Sequence, residues 1–232
     1  SIDIISRSKK NNKNIKDKLI INLSNLDQVN KFAKESANYD ILIFLVGLAH
    51  KKGAFKDFNK FKHSNFDTLV NLINQLNKFK KTPKSIIFTS SISIYGEKYN
   101  NNEYFESSKK KPLSPYAKTK KMAEDFLLQN YKEKSWILRL APMYSSSFML
   151  NINRRTKIGG FTYQIGDGSN MLSLCNIKNF ELLIKSIIEG KIPSDIYNIA
   201  DNKNYLFKDL IYINKNLFKF QVPTFLIKIL LF

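Results

Sequence analysis

The chain has 232 residues, 43% of them hydrophobic, with a formal net charge of +19. These values exclude a disordered chain and suit one globular unit with room for a smaller appended lobe. A single cysteine, Cys175, excludes an internal disulfide framework and predicts a reducing, cytoplasmic setting.

The opening SIDIISRSKK lacks the apolar core of a signal peptide. No apolar run reaches the ~18 residues of a transmembrane helix, and the apolar end VPTFLIKILLF, which carries Lys228, reads as a buried terminal helix. Only four of the 38 basic residues are arginine, the usual base-reading and phosphate-clamping side chain. The lysines are spread along the chain among Asn and Ile. The charge therefore predicts a solvated surface that attracts anionic ligands, and no specific nucleic-acid partner.

Short β-type runs alternate with helical patterns. IDII (2–5) and KLIIN (18–22) are predicted strands separated by a polar loop. SNLDQVNKFAKESAN (24–38) reads as a helix capped by Ser24, with Asp27 three residues on. DILIFLV (40–46) is an uninterrupted apolar run, as expected of a strand buried on both faces. Residues 56–80 form a long helix with Phe58, Phe61, Leu69, Leu72, Leu76 and Phe79 on one stripe. KSIIFTSS (84–91), a helix at 115–131 and the strand SWILRL (135–140) follow. This alternation predicts an α/β fold with a parallel sheet and right-handed crossovers. Ligands of such sheets bind beyond the carboxyl ends of the strands, where Gly47, Ser91 and Pro142 fall. Beyond that point the pattern is less regular. GGFTYQIGDGSN (159–170) is turn-rich, a helix spans 177–190, DIYNIA (195–200) is strand-like, and a last helix starts at 206. The predicted division is a sheet domain over 1–145 and a smaller lobe over 146–232.

SPYAKTKKMAED (114–125) carries the chemistry. Ser114 suits a helix cap and Pro115 its first turn. Spacing i, i+4 then puts Tyr116 and Lys120 on one face. A free phenol, with a pKa near ~10, is a poor base at neutral pH. An adjacent ammonium favours the phenolate, which makes the pair a candidate general base for a hydroxyl proton.

Upstream, IIFTSSISIYGE (86–97) is a buried strand that ends in small hydroxyl residues and Tyr-Gly. Together the two stretches resemble the extended short-chain dehydrogenase/reductase family, in particular its NAD-dependent epimerase/dehydratase group. In that family a strand ends in T-S-S-x-x-x-Y-G, an acidic loop with proline follows, and then comes s-P-Y-x-x-S/T-K. Here these are residues 89–96, then Glu106 and Pro112, then residues 114–120. The resemblance implies a doubly wound Rossmann-like domain over 1–145, a substrate lobe over 146–232, and NAD or NADP as cofactor. It implies Ser91 as the catalytic hydroxyl, Tyr116 as the base and Lys120 as its partner.

DILIFLVGLAH (40–50) occupies the place of a family strand whose end passes the cofactor, with Phe44 for the usual His and Val46 for the usual Ala. Leu45, Val46 and Gly47 are thereby implied cofactor contacts. So are Thr89, Tyr116 and Lys120, together with Pro142 and Met143 of ILRLAPMY (137–144). Leu48-Ala49-His50 is similar to the R-x-H of a bacterial surface-polysaccharide subgroup, implying that His50 meets substrate. Ser91, Ile92, Ser93 and Asn176 are further implied substrate contacts, and Asn65 fits the family's helix asparagine. No metal is implied.

The sequence departs from the family at its start. The family opens with a strand and G-x-x-G-x-x-G, which sets the pyrophosphate at a helix N-terminus. The eight glycines here, at 47, 53, 96, 159, 160, 166, 168 and 190, contain no such run. The chain reads as starting at the family's second strand, as truncated at both ends, and as lacking the first strand of the sheet. Ser6-Arg7-Ser8 stands in place of an acidic ribose clamp, so Arg7 leans towards NADP, and Asn22 stands where Asp often meets adenine.

The implied activity is a nucleotide-sugar epimerase, UDP-sugar 4-epimerase-like, working through a keto intermediate. A nucleotide-4-keto-sugar reductase and a non-catalytic remnant of the fold are the alternatives. Dehydration needs an added acid–base pair, and Ser91, Ile92 and Ser93 hold no carboxylate in its place. Arg154 and Arg155 are candidates for the substrate diphosphate. A homodimer through the helices at 56–80 and 115–131 is the family expectation.

Overall fold

The computed structural model describes residues 3–6, 18–48, 55–96, 103–158, 161–213 and 219–222. Arg7, His50 and the predicted terminal helix in VPTFLIKILLF lie outside these residues. In chain order the elements are β1 (Ile4–Ser6), β2 (Lys18–Ile20), α1 (Leu26–Glu35), β3 (Ile41–Phe44), α2 (Phe58–Lys62), α3 (Thr68–Lys78), β4 (Ser85–Ser91), α4 (Pro115–Tyr131) and β5 (Ser135–Leu140). They continue with β6 (Met143–Tyr144), α5 (Leu150–Thr156), β7 (Lys157–Ile158), β8 (Phe161–Ile165), β9 (Met171–Leu172), β10 (Cys175–Asn176), α6 (Ile177–Ile188), β11 (Ile196–Ile199), β12 (Tyr205–Leu206), α7 (Phe207–Ile213) and β13 (Lys219–Val222).

Two compact units result: Ser1–Arg139 with Pro193–Tyr197, and Leu140–Ile192 with Asn198–Phe232. Residues 193–197 return to the first unit because the Ile137 N–H donates to the Asp195 carbonyl at 2.9 Å. A single cut in the chain cannot describe this division.

In the first unit, a four-stranded sheet has the order β11-β5-β4-β3, and β1 and β2 form a separate parallel pair. β3 and β4 pair in parallel from Ile41 opposite Ser85 to Phe44 opposite Phe88, with the helical run between them as the crossover. The core beneath is apolar. α3 buries Leu69, Leu72, Ile73 and Leu76, an i, i+3, i+4, i+7 stripe, and Val29, Phe44, Phe88 and Leu127 belong to the same cluster.

Three expectations need correction here. The first helix starts at Leu26, and its cap is Asn25 rather than Ser24. The Asn25 side chain sits on extended backbone and accepts the Gln28 N–H at 3.0 Å. The run at 40–46 is not buried on both faces. Among the described residues β3 is the last strand of its sheet, and Ile43 is 38% exposed and Leu45 61% exposed while Phe44 is buried. The long helix at 56–80 is one helical run in several parts: a 3₁₀ turn at Phe55–Asp57, then α2, a π turn at His63–Asp67, and α3. The π turn widens the helix around Asn65, which is fully buried. Such turns are frequent at functional sites.

In the second unit, short strands pair as β6 with β10, β9 with β12, and β8 with β7 and β13. Ile152, Leu174 and Leu210 form its buried cluster, with Tyr144 and Tyr205 packed against it.

Candidate active site

α4 begins as its residues dictate. The Ser114 Oγ accepts the Ala117 N–H at 3.2 Å, and Pro115 occupies the first turn. The buried face of this helix is not apolar throughout. Beside Ala117, Ala123 and Leu127 it carries Thr119, Lys120 and Glu124, all 3% exposed or less. Lysine and glutamate are almost never fully buried without a partner, so each needs a specific one.

For Lys120 the partner is the strand beneath. Its Nζ donates to the Thr89 carbonyl at 2.8 Å and lies 4.8 Å from the centre of the Phe88 ring. Burial pushes its pKa from the ordinary lysine value down to about 8, while the Glu124 carboxylate pulls the other way. Tyr116 is half-buried one helical turn earlier. Ser91 ends β4, two residues beyond Thr89, and α4 packs on that strand. The Ser91 Oγ accepts the Ser93 N–H and donates to the Ser93 hydroxyl, both at 3.2 Å. Ile92 and Ser93 open the 3₁₀ turn Ile92–Tyr95, whose last two residues are buried.

The end of β3 meets the same cation. A Cβ built on Gly47 would lie 3.2 Å from Lys120 Nζ and 3.4 Å from Asn65 Oδ1, so the backbone there approaches with no side chain between. Asn65 joins three elements. Its Oδ1 accepts the Leu48 N–H at 2.6 Å, and its Nδ2 donates to Thr119 Oγ1 at 3.1 Å, which in turn donates to the Pro115 carbonyl at 2.8 Å. The π turn is what carries Asn65 into this position. A cleft of about 210 Å³ opens alongside, lined by Ser6, Asn22, Ser24, Val46, Gly47 and Leu48 among others. Asn22 is engaged locally there. Its side chain accepts the Ser24 N–H, and its own N–H donates to Gln28 Oε1. The Thr89 hydroxyl donates to the Phe44 carbonyl, which ties β4 to β3.

A second buried charge lies behind Lys120. Glu124 accepts from the Ser90 hydroxyl and from Arg139 of β5, whose Nη2 lies 2.8 Å away. Glu124 carries no motif signal in SPYAKTKKMAED beyond its i+4 spacing from Lys120, and Arg139 is one residue of the predicted strand SWILRL.

In the second unit, Pro142 accepts the Cys175 N–H at 3.1 Å, and Met143 pairs with Cys175. Asn176 is the cap of α6. Its side chain accepts the Lys178 N–H at 3.0 Å, and its own N–H donates to Asp201 Oδ1 at 2.8 Å. Asp201 also accepts from Asn179, Tyr144 and Tyr205. Arg155 donates to the Asn151 carbonyl at 2.8 Å, and burial lowers its pKa. Among the described residues, no three His, Cys, Asp or Glu side chains are grouped to hold a metal ion, and no helix is long and apolar enough to cross a membrane.

Comparison with known proteins gives a consistent picture. The model of the NAD dependent epimerase/dehydratase family matches residues 2–200. A curated relative from Escherichia coli O157:H7, N-acetyl-alpha-D-glucosaminyl-diphospho-ditrans,octacis-undecaprenol 4-epimerase, is 28% identical over 140 residues. That match covers 57% of this chain and 42% of the relative, so the chain spans about two fifths of the relative's length. Among solved structures, the UDP-Glc/GlcNAc 4-epimerase of Campylobacter jejuni superposes with a TM-score of 0.76 at 16% identity, covering 95% of this chain and 78% of the other. The Thermus thermophilus UDP-glucose 4-epimerase, solved as a complex with NAD, gives 0.73 at 15% identity with coverage of 95% and 78%. At these identities the likeness is one of fold, a Rossmann-like α/β architecture.

Proposed function

The chain belongs to the NAD dependent epimerase/dehydratase family, and from that membership we propose that it is an NAD(P)-dependent nucleotide-sugar epimerase of the UDP-sugar 4-epimerase type. The observation that carries the reading is Lys120. A buried ammonium with a pKa near 8 is held on the Thr89 carbonyl, one helical turn from Tyr116 and beside the strand that ends in Ser91. Burying such a charge is costly, and perturbed groups of this kind cluster at functional sites.

The residues present suit the dinucleotide. Gly47 leaves the space next to Lys120 clear of a side chain, and the cleft beside it is lined by Ser6, Asn22 and Val46. The glycine-rich turn that would hold the pyrophosphate is not in this sequence. When bound, the nicotinamide supplies acceptance and return of a hydride at the sugar carbon. The chain supplies the rest. The Tyr116 phenolate takes the proton of the sugar hydroxyl as the carbonyl forms. Lys120, charged below about pH 8, favours the phenolate. The Ser91 hydroxyl donates to the reacting oxygen. The keto sugar turns over between oxidation and reduction, and Tyr116 then returns the proton to its oxygen as the opposite face is reduced, a redox-neutral inversion.

In this reading the first unit takes the dinucleotide and the second the sugar. Ile92, Ser93 and Asn176 are the proposed substrate contacts, and Pro142 and Met143 the proposed nicotinamide flank. The buried thiol of Cys175 suits a reducing, cytoplasmic setting.

The test is a pair of measurements on the protein and on Tyr116→Phe. NAD⁺ or NADP⁺ binding is followed by calorimetry, and UDP-N-acetylglucosamine interconversion by chromatography. The variant should bind cofactor like the parent and lose at least ~10²-fold in turnover. Absence of binding by either nicotinamide, or full turnover by the variant, overturns the proposal.

A further inference from the structure

The reaction as written leaves one buried charged cluster unused. Glu124 and Arg139 are both fully buried. Arg139 places Nε and Nη2 on the two carboxylate oxygens, at 3.1 Å from Oε1 and 2.8 Å from Oε2. Its Nη1 donates to the Tyr95 hydroxyl at 2.6 Å and to the Glu106 carbonyl at 2.8 Å. The Ser90 hydroxyl gives Glu124 another donor. Replacing a buried ion pair by apolar residues of similar volume is often neutral or stabilising, so stability alone is a weak reason to keep it.

Position supplies a better one. Glu124 sits one turn after Lys120 on the same face of α4. The two side chains latch onto consecutive residues of β4: Lys120 onto the Thr89 carbonyl, and Glu124 onto the Ser90 hydroxyl. The next residue is Ser91, and Tyr95 closes the turn that follows it.

We propose that Glu124 and Arg139 are a charge-balancing, positioning pair for Lys120: a neutral unit that fixes the field at the buried ammonium while holding the end of β4 against α4. The reading of Lys120 as a reaction-site residue gives this its functional meaning, and the test below does not depend on that reading. Among the described residues, Lys120 also meets the Phe88 ring, the Thr89 carbonyl and the Gly47 backbone, with Asn65 Oδ1 on the other side of Gly47 and Tyr116 one turn earlier on α4. Lys110 lies 4.0 Å from Glu124. On the helical run packed against α4, Lys62 and His63 engage Asp67 at 2.6 and 3.8 Å.

Removing either member of the pair should shift Lys120 with opposite signs. Glu124→Gln leaves Arg139 unbalanced, and a second cation disfavours the Lys120 proton. Arg139→Met leaves Glu124 unbalanced, and a bare carboxylate holds that proton more tightly.

The experiment titrates Lys120 by ¹³Cε NMR in protein labelled at lysine, assigned by the signal missing from Lys120→Met. The midpoint should fall by about one unit in Glu124→Gln and rise by about one unit in Arg139→Met. It should stay near the parent value in the double variant. In Arg139→Lys, which keeps the charge and loses the fork, the midpoint should also stay while the urea midpoint drops. A purely structural pair would move stability in every variant without this pattern. Shifts of the same sign in the two single variants, or no shift in either, overturn the proposal. So does a shift in Arg139→Lys as large as in Arg139→Met. Where a single variant does not fold, the double variant decides, and a midpoint displaced by about a unit there overturns the idea. The titration needs no turnover, so failure to bind cofactor would sink the proposed activity and leave this inference standing.

Discussion

Lys120→Met removes the buried charge, keeps most of the aliphatic stem and should change stability with opposite signs at the two ends of the pH scale. The lysine pKa is about 8 in the fold against an ordinary value of 10.5. The group is depressed, so the folded state disfavours its charged form. The stability it contributes is fully present above 10.5 and is lost as pH falls through 8. From that gap the parent carries a penalty of about 3 kcal/mol at pH 7 and about 1 kcal/mol at pH 10. The variant escapes the penalty and loses the bond to the Thr89 carbonyl, which costs about 1–2 kcal/mol. It should therefore be more stable than the parent by about 1–2 kcal/mol at pH 7 and no more stable, or less stable, at pH 10. Urea unfolding of both proteins at unit steps from pH 6 to 10 measures the difference directly. Tyrosines and surface lysines titrate in the same window in both chains and cancel. A stability difference that is flat with pH would mean that Lys120 titrates normally, and the argument from its burial would be wrong. Stabilisation at pH 7 together with lost turnover would identify the lysine as a group kept for function.

The remaining predictions concern the frame around the site. Asn65→Leu leaves the Leu48 N–H without its acceptor and Thr119 without a donor, so it should cost about 2–3 kcal/mol. Hydrogen exchange at the Leu48 amide should then accelerate, and unchanged protection there would refute the link across the π turn. In the second unit, burial raises the Asp201 pKa, but donors from Asn176, Tyr205, Asn179 and Tyr144 outweigh it and hold the carboxyl below its ordinary value. Its stabilisation is present above that ordinary value, near ~4, and lost as pH falls through the lower folded value. Asp201→Asn should flatten the acid limb of the Tm–pH profile, and parallel profiles would refute the assignment.

Much of this architecture is legible in one dimension. Helix 115–131 and strand 135–140 fall where capping, proline position and an apolar run put them, because those signals are local. Motif spacing put Ser91, Tyr116 and Lys120 forward as one proposed set. The exposure of Ile43 was not. An apolar run is the same string whether one or two strands flank it, and among the described residues β3 has a neighbour on one side only. Asn176 stands at a helix start in LCNIKN and caps α6, since a short amide accepts a free N–H there. Arg139 reads as one residue of the strand SWILRL, and its partner lies fifteen residues back on another element.

By itself the sequence determined the α/β class, the order of the elements and the i, i+4 spacing of Tyr116 and Lys120 on one helix. All three depend on residues a few positions apart, where periodicity and caps act. Only the tertiary structure decided that Lys120 is buried on the Thr89 carbonyl, that a π turn carries Asn65 to Gly47 and Leu48, and that Glu124 is neutralised by Arg139. Those outcomes depend on which strand lies beneath which helix. Desolvation and charge pairing are set by neighbours in space, and no spacing along the chain encodes them.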